Sequence, residues 1–185
     1  PLSLPAALPT TANLAAKERL APLVLEMRQV SGQNDALVCN AASNPYYGPL
    51  AGISDEAFRK ILDNNIIANH WLITMVAPEM LARGEGSITI ISSIGGLKGS
   101  TVLGSYAISK AADMQMARNL ACEYGKDNIR VNCIAPGLIK TDFAKALWDN
   151  PETLKASTAR SPLLRIGEPD ENAGAAVFLA PSAGP

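Results

Sequence analysis

Tyr106 and Lys110 stand four residues apart in the stretch Tyr106-Ala-Ile-Ser-Lys110. On a helix, positions i and i+4 share a face, so the phenol and the ammonium stand side by side. A free phenol has a pKa of about 10 and is a poor acid-base catalyst at neutral pH. An adjacent ammonium is expected to lower that value, so that the tyrosine gives or takes a proton near neutrality. Ser92 and Ser93 come before the pair, Ser93 by thirteen residues, and Pro136-Gly137 comes after it. The Tyr/Lys spacing by itself is unspecific, because a shuffled chain of this composition would contain one about once in six. Its position makes it informative: the pair opens a helix just after a loop that leaves a buried strand, where open α/β sheets place their ligands. Ser93 alone reads as a turn or capping residue, whereas together with the pair it reads as a third polar group at one point in space.

The elements that must position these residues follow from hydrophobic periodicity. Leu20, Leu23, Val24, Met27 and Val30 recur at helical spacing, with Pro22 among them and Gly32 as a stop. The apolar run Ala36-Leu37-Val38-Cys39 suits a strand covered on both faces, closed by Asn40-Ala41-Ala42-Ser43. Ser54 and an acidic first turn begin a long helix that ends near Gly84, and Ser87 to Ile91 forms a second buried strand. A Gly-rich loop, Gly95 to Gly104, leads into a helix from about Tyr106 to Tyr124, stopped by Gly125; Arg130 to Ile134 is the third strand. Beyond Thr141 the pattern loosens, with helical pieces near Phe143 to Trp148 and Pro169 to Leu179. Strands alternating with long helices predict an α/β fold, a Rossmann-like doubly wound parallel sheet. The prolines at 1, 5 and 9 predict a frayed or rebuilt edge at the start.

Composition narrows the function classes. A chain of 185 residues that is 48% hydrophobic fits a single domain, 1–185, with a sizeable core. Sixteen basic and seventeen acidic residues, with no block of like charge, give no reason to expect nucleic acid or an anionic membrane as partner. Small neutral molecules are the better match. Cys39, Cys122 and Cys133 read as reduced thiols of a cytoplasmic protein, and the opening residues resemble neither a signal peptide nor a membrane span. There is no Cys/His/carboxylate cluster of ligand spacing, so no metal site is expected, and Ser93 lacks a G-x-S-x-G elbow. His70 reads as a residue of the helix surface. Asn64-Asn65 is unexpected inside an apolar helix; Asn65 is either an exposed polar position or a buried amide that holds water or a backbone group under the site.

These residues resemble the short-chain dehydrogenases/reductases, and within them the carbonyl-reductase branch, from about Asn13 to the C-terminus. Cys39-Asn40-Ala41-Ala42 stands where that family has N-N-A-G, and Asn65 where it has a helix asparagine. Ile91-Ser92-Ser93, Tyr106 to Lys110, Asn132 to Gly137 and Ile139-Lys140-Thr141 complete the match. The resemblance implies Tyr106 as acid/base, Lys110 lowering its pKa and binding the nicotinamide ribose, Ser93 on the substrate oxygen, and Asn65 holding a water in a relay to Lys110. It implies NADP or NAD as cofactor, with Pro136, Gly137, Ile139 and Thr141 on the nicotinamide side. Asn40, Ala41 and Ala42 would stand at the adenosine ribose, and Asn13-Leu14 at the adenine. The substrate would be a small-molecule carbonyl compound or alcohol, and the assembly a homodimer or homotetramer packed through its two long helices.

The sequence contains no G-x-G-x-x-G fingerprint, the turn with which dinucleotide folds bind pyrophosphate. Against the family pattern, two leading βα units and the final strand are missing, so the sheet is expected to be incomplete, with an exposed edge. The alternative is therefore a catalytically silent fragment or oligomerisation module unable to bind dinucleotide. An enoyl reductase on the same scaffold is a further alternative, disfavoured because that group resembles a longer Tyr-Lys spacing. An apolar lid is expected between Lys140 and Arg165, from Phe143, Leu147, Trp148 and Leu164.

Overall fold

In a computed structural model, residues 12–159 and 161–180 are described. The prolines expected to mark a rebuilt start lie outside those residues. Three parallel strands, β1 (Ala36–Cys39), β2 (Gly86–Ile91) and β3 (Ile129–Ile134), form one sheet in the order β1-β2-β3. The register sets Cys39 beside Ile90 and Ile90 beside Cys133, so one face carries Leu37, Cys39, Ile88, Ile90, Val131 and Cys133. That face meets Ile73, Val76, Ala77 and Met80 of helix α3 (Ala68–Arg83) and Ala117 of α4 (Gly104–Tyr124), forming the core. Helix α1 (Lys17–Ser31) packs outside α3, burying Leu20 completely, and ends at Gly32 with φ of 82°.

The long helix between β1 and β2 is interrupted. Ser54 caps α2 (Asp55–Leu62), its hydroxyl accepting from Ala57 N at 3.2 Å. A π-helical turn, Asp63–Ile67, then joins α2 to α3, and Gly84 closes α3 in the left-handed conformation at φ of 69°. Such a wide turn inserts one extra residue into the helical ladder and rotates the side chains on it out of the regular stripe. It carries Asn64 and Asn65.

On the opposite sheet face, the end of α7 (Pro169–Leu179) reaches β2 and β3, where Ser87 Oγ and Arg130 Nη2 each donate to Leu179 O at 2.7 Å. Among the described residues its packing is on β2 and β3. The expectation that Ala36 to Cys39 is covered on both faces is therefore corrected: Val38, at 43% exposed, and Ala36 face outward, and β1 is an edge strand among the described residues. Between β3 and α7 run a 3-10 turn, Asp142–Ala144, and two short helices, α5 (Lys145–Trp148) and α6 (Pro151–Thr158). Helix α6 was not foreseen, although its start is marked in the sequence: Asn150 Oδ1 accepts from Glu152 N and Thr153 N at 2.9 and 3.1 Å, with Pro151 in the first turn.

Candidate active site

Because the strands are parallel, the segments leaving β1, β2 and β3 emerge at the same end of the sheet. There the chain sets Asn40 to Ala42, Ser93 and Pro136-Gly137. Hydrogen bonding continues past the strands: Ser92 N donates to Ile134 O at 2.7 Å and Ile94 N to Pro136 O at 3.0 Å. This pins the Ser93 loop against the Pro136 loop. The loop then lies flat on α4, where a Cβ at Gly96 would stand 2.7 Å from Ala111 N and from Lys110 C. Only glycine permits that approach.

Ser93 is extended and caps the turn Ile94–Leu97, its Oγ accepting from Gly95 N at 3.0 Å. Tyr106, in the first turn of α4, stands close by: a Cβ at Gly95 would lie 3.3 Å from Ser93 Oγ and 3.9 Å from Tyr106 Cε1. Phe143 stands against the Tyr106 ring, centroids 6.0 Å apart and planes inclined at 44°. Of the expected lid, Phe143 thus reaches the tyrosine, Trp148 Nε1 is tied to Thr141 O at 2.9 Å, and Leu164 points to solvent at 70% exposed.

Lys110 lies one turn after Tyr106 and is 2% exposed. Its Nζ donates to Ile91 O at 2.8 Å and to Asp113 Oδ2 at 2.9 Å, and lies 5.8 Å from the centroid of the Tyr106 ring. Asp113 is completely buried, and its other oxygen accepts from Asn69 Nδ2 at 3.1 Å. The expected lowering of the Tyr106 pKa is not found. Burial pushes the phenol up, the Ser93 hydroxyl pulls it down, and the Asp113 carboxylate adds to the rise. Burial also pushes the Asp113 carboxyl up, opposed by Lys110 and Asn69.

Asn65 is completely buried. Its Oδ1 accepts from Ser43 N at 2.7 Å, and its Nδ2 donates to Ser43 O at 3.1 Å and to Ser109 Oγ at 3.0 Å. Ser109 Oγ in turn donates to Tyr106 O at 2.7 Å. Of the two readings of this asparagine, the buried amide that holds a backbone group describes it. Its own carbonyl oxygen accepts from Asn69 Nδ2 at 2.7 Å.

The remaining candidate residues spread along the rim. Asn40 and Ala41 are exposed and Ala42 half-buried. Gly137 is exposed; Ile139 bridges to Gly167, and Thr141 Oγ1 caps the following turn, accepting from Ala144 N at 3.3 Å. Asn13 Oδ1 accepts from Ala15 N at 3.1 Å, within its own turn beside Leu14. His70 is exposed. Sequence reasoning missed Ser43, Asn69, Ser109 and Asp113. Asp113 had a signal, since it shares the helix face of Tyr106 and Lys110 at i+3 from the lysine.

A family model described as Enoyl-(Acyl carrier protein) reductase matches residues 3–184. Dehydrogenase/reductase SDR family member 4 of Bos taurus is 41% identical over 170 residues, covering 92% of this chain and 61% of that protein. The chain spans about six-tenths of the length of these curated relatives, which include the same family member of Oryctolagus cuniculus and Pongo abelii. Among solved structures, a 7α-hydroxysteroid dehydrogenase complexed with NADH and 7-oxo glycochenodeoxycholic acid superposes with a TM-score of 0.86 at 34% identity, covering 93% of this chain and 66% of that one. ElxO with NADP bound gives a TM-score of 0.85 at 25% identity, covering 93% and 70%.

Proposed function

The chain belongs to the short-chain dehydrogenase/reductase family, and on that premise we propose that it forms the catalytic part of an NAD(P)-dependent oxidoreductase acting on a ketone or aldehyde, or on the corresponding secondary or primary alcohol. The observation that carries this reading is the placing of Ser93 and Tyr106 side by side at Gly95, with Lys110 one turn on and Phe143 against the phenol ring. Two hydroxyl-bearing side chains set together at the open end of a parallel sheet suit chemistry at an oxygen atom. This favours a carbonyl substrate over reduction of a carbon-carbon double bond, the reaction that the family model's description names.

The rim suits the nicotinamide and the adenosine ribose of the cofactor. Asn40, Ala41 and Gly137 are exposed there, and a Cβ at Gly137 would meet only Ile94 Cδ1, at 3.8 Å. Pro136, Gly137, Ile139 and Thr141 would hold the nicotinamide side, Asn40, Ala41 and Ala42 the adenosine ribose, and Asn13 and Leu14 the adenine. When bound, NAD(P)H supplies the hydride to the carbonyl carbon. Ser93 orients the carbonyl oxygen, and Tyr106 gives its phenolic proton to that oxygen as negative charge develops there. Asn65 holds the Ser43 segment and, through Ser109, the first turn of α4 beneath the reacting groups. In the reverse direction the Tyr106 phenolate takes the proton from the alcohol.

A homodimer or homotetramer and a cytoplasmic site of action belong to the same reading. The groove between α3 and α4, lined by His70, Thr74, Gln115, Met116 and Asn119, supports the first, and free thiols support the second. Among the described residues, no helix is long and apolar enough to cross a membrane. Titrating NADPH and NADH into the 185-residue protein while following Trp71 and Trp148 fluorescence tests the cofactor half of the proposal. Saturable quenching is expected. No binding of either nucleotide would favour the silent oligomerisation module, the reading supported by the absence of a G-x-G-x-x-G turn.

A further inference from the structure

Asp113 takes no part in the proposed reaction, yet it is the most deeply placed charge among the described residues. Burying a carboxylate costs several kcal/mol unless it is paired and hydrogen-bonded, and a buried ion pair is often no better than apolar residues of the same volume. Here both oxygens are satisfied, by Lys110 Nζ and Asn69 Nδ2, and Asn69 Nδ2 also donates to Asn65 O. The result is one connected polar chain from the π-turn through α3 into α4, reaching β2 at Ile91 O. It joins two of the four residues proposed to act in the reaction.

We propose that Asp113 is a positioning residue for Lys110: it seats the ammonium against the Ile91 carbonyl and cancels its charge at Tyr106. This rests on the reading of Tyr106 as the acid of the reaction. Its consequence is that the resting site carries a neutral phenol beside a net-neutral ion pair, the protonation state that carbonyl reduction uses. Reduction should hold its rate to higher pH, and alcohol oxidation, which needs the phenolate, should rise only at alkaline pH.

The surroundings agree with cancellation. Facing the pair are the Cys39 thiol of β1, which burial first and Asp113 second push up to about 12, and the Cys133 thiol of β3, pushed up by the same two causes. At both thiols Lys110 acts in the opposite sense to Asp113. The groups arriving from α3 and the π-turn, Asn69 and Asn65, are uncharged amides. Arg59 and Lys60 of α2 and Asp142, next to Phe143, are exposed to solvent. No other buried charge on the described elements competes with the pair.

The test is an ultraviolet titration of the Tyr106 phenolate in the 185-residue chain, isolated by subtracting the Tyr106→Phe protein. Asp113→Asn is expected to lower the Tyr106 midpoint by at least about one pH unit, a tenfold change in ionisation constant, because it leaves the ammonium uncancelled. A folded Asp113→Asn protein with an unchanged or higher midpoint would overturn the proposal. If that variant does not fold, the double variant Lys110→Met/Asp113→Leu removes both charges together. A midpoint equal to or below that of the unmodified protein supports cancellation, and one raised by about a unit or more refutes it, since Lys110 would then have been acting on the phenol unopposed. The titration needs neither cofactor nor substrate, so its outcome is independent of whether Tyr106→Phe abolishes turnover.

Discussion

Lys110 Nζ lies 2.9 Å from Asp113 Oδ2, and the two side chains are 2% and 0% exposed. A lysine that on spacing alone would direct its charge at Tyr106 is instead tied to a carboxylate one turn further along the same helix. The phenol therefore sits in an environment set by burial, by the Ser93 hydroxyl and by Asp113, in that order.

The closeness of the Ser93 loop to α4 depends on Gly96. A Cβ there would press into the backbone at Lys110 and Ala111, atoms that cannot rotate away. Gly96→Ala is expected to destabilise the protein by about 1–3 kcal/mol, read as a lower urea midpoint at unchanged slope. An unaltered midpoint would mean that the loop does not rest on the helix.

Asn65→Ala removes three hydrogen bonds at once and leaves Ser43 N and O without their partners. Unsatisfied buried groups cost about 1–3 kcal/mol each, so the loss should exceed that of an ordinary surface change several-fold. Chemical denaturation of Asn65→Ala beside Asn64→Ala provides the comparison. Asn64 makes a single side-chain bond, to Ser43 Oγ, and should be the milder substitution.

Much of this architecture was legible in the sequence because it is local. The three strands follow apolar runs, α4 begins two residues before Tyr106 and ends at Tyr124, and Gly32 and Gly84 close α1 and α3 in positive-φ conformations that glycine supplies. The π-turn was not legible, since what accompanies it is a set of bonds from Asn65 to Ser43 and Ser109, 22 and 44 residues away. The open face of β1 escaped notice for a related reason: an apolar run says what a strand can tolerate, and whether α7 reaches it is a matter of tertiary placement. Asp113 was passed over because an acid three residues after a lysine normally marks a solvated helix face. Its burial depends on Asn69, 44 residues distant, arriving from α3.

The three cysteines should separate by reactivity. Cys122 is exposed on α4, whereas Cys39 is buried at the end of β1 with its thiol pushed up to about 12. The thiolate is the reacting species, so iodoacetamide at mildly alkaline pH should label Cys122 first and leave Cys39 intact in the folded protein. Mass spectrometry of the labelled peptides, native and denatured, checks this; early labelling of Cys39 would contradict the placement of β1 against α3 and α4.

The proposed role of Tyr106 is tested most directly by the turnover of Tyr106→Phe, followed as loss of NADPH or NADH absorbance with a panel of small ketones and aldehydes. Removing the phenolic proton while keeping the ring against Phe143 should lower kcat by about 10²–10⁴-fold, with the far-ultraviolet circular dichroism of the folded protein unchanged. Turnover retained at the level of the unmodified protein would contradict the assignment of Tyr106 as the acid.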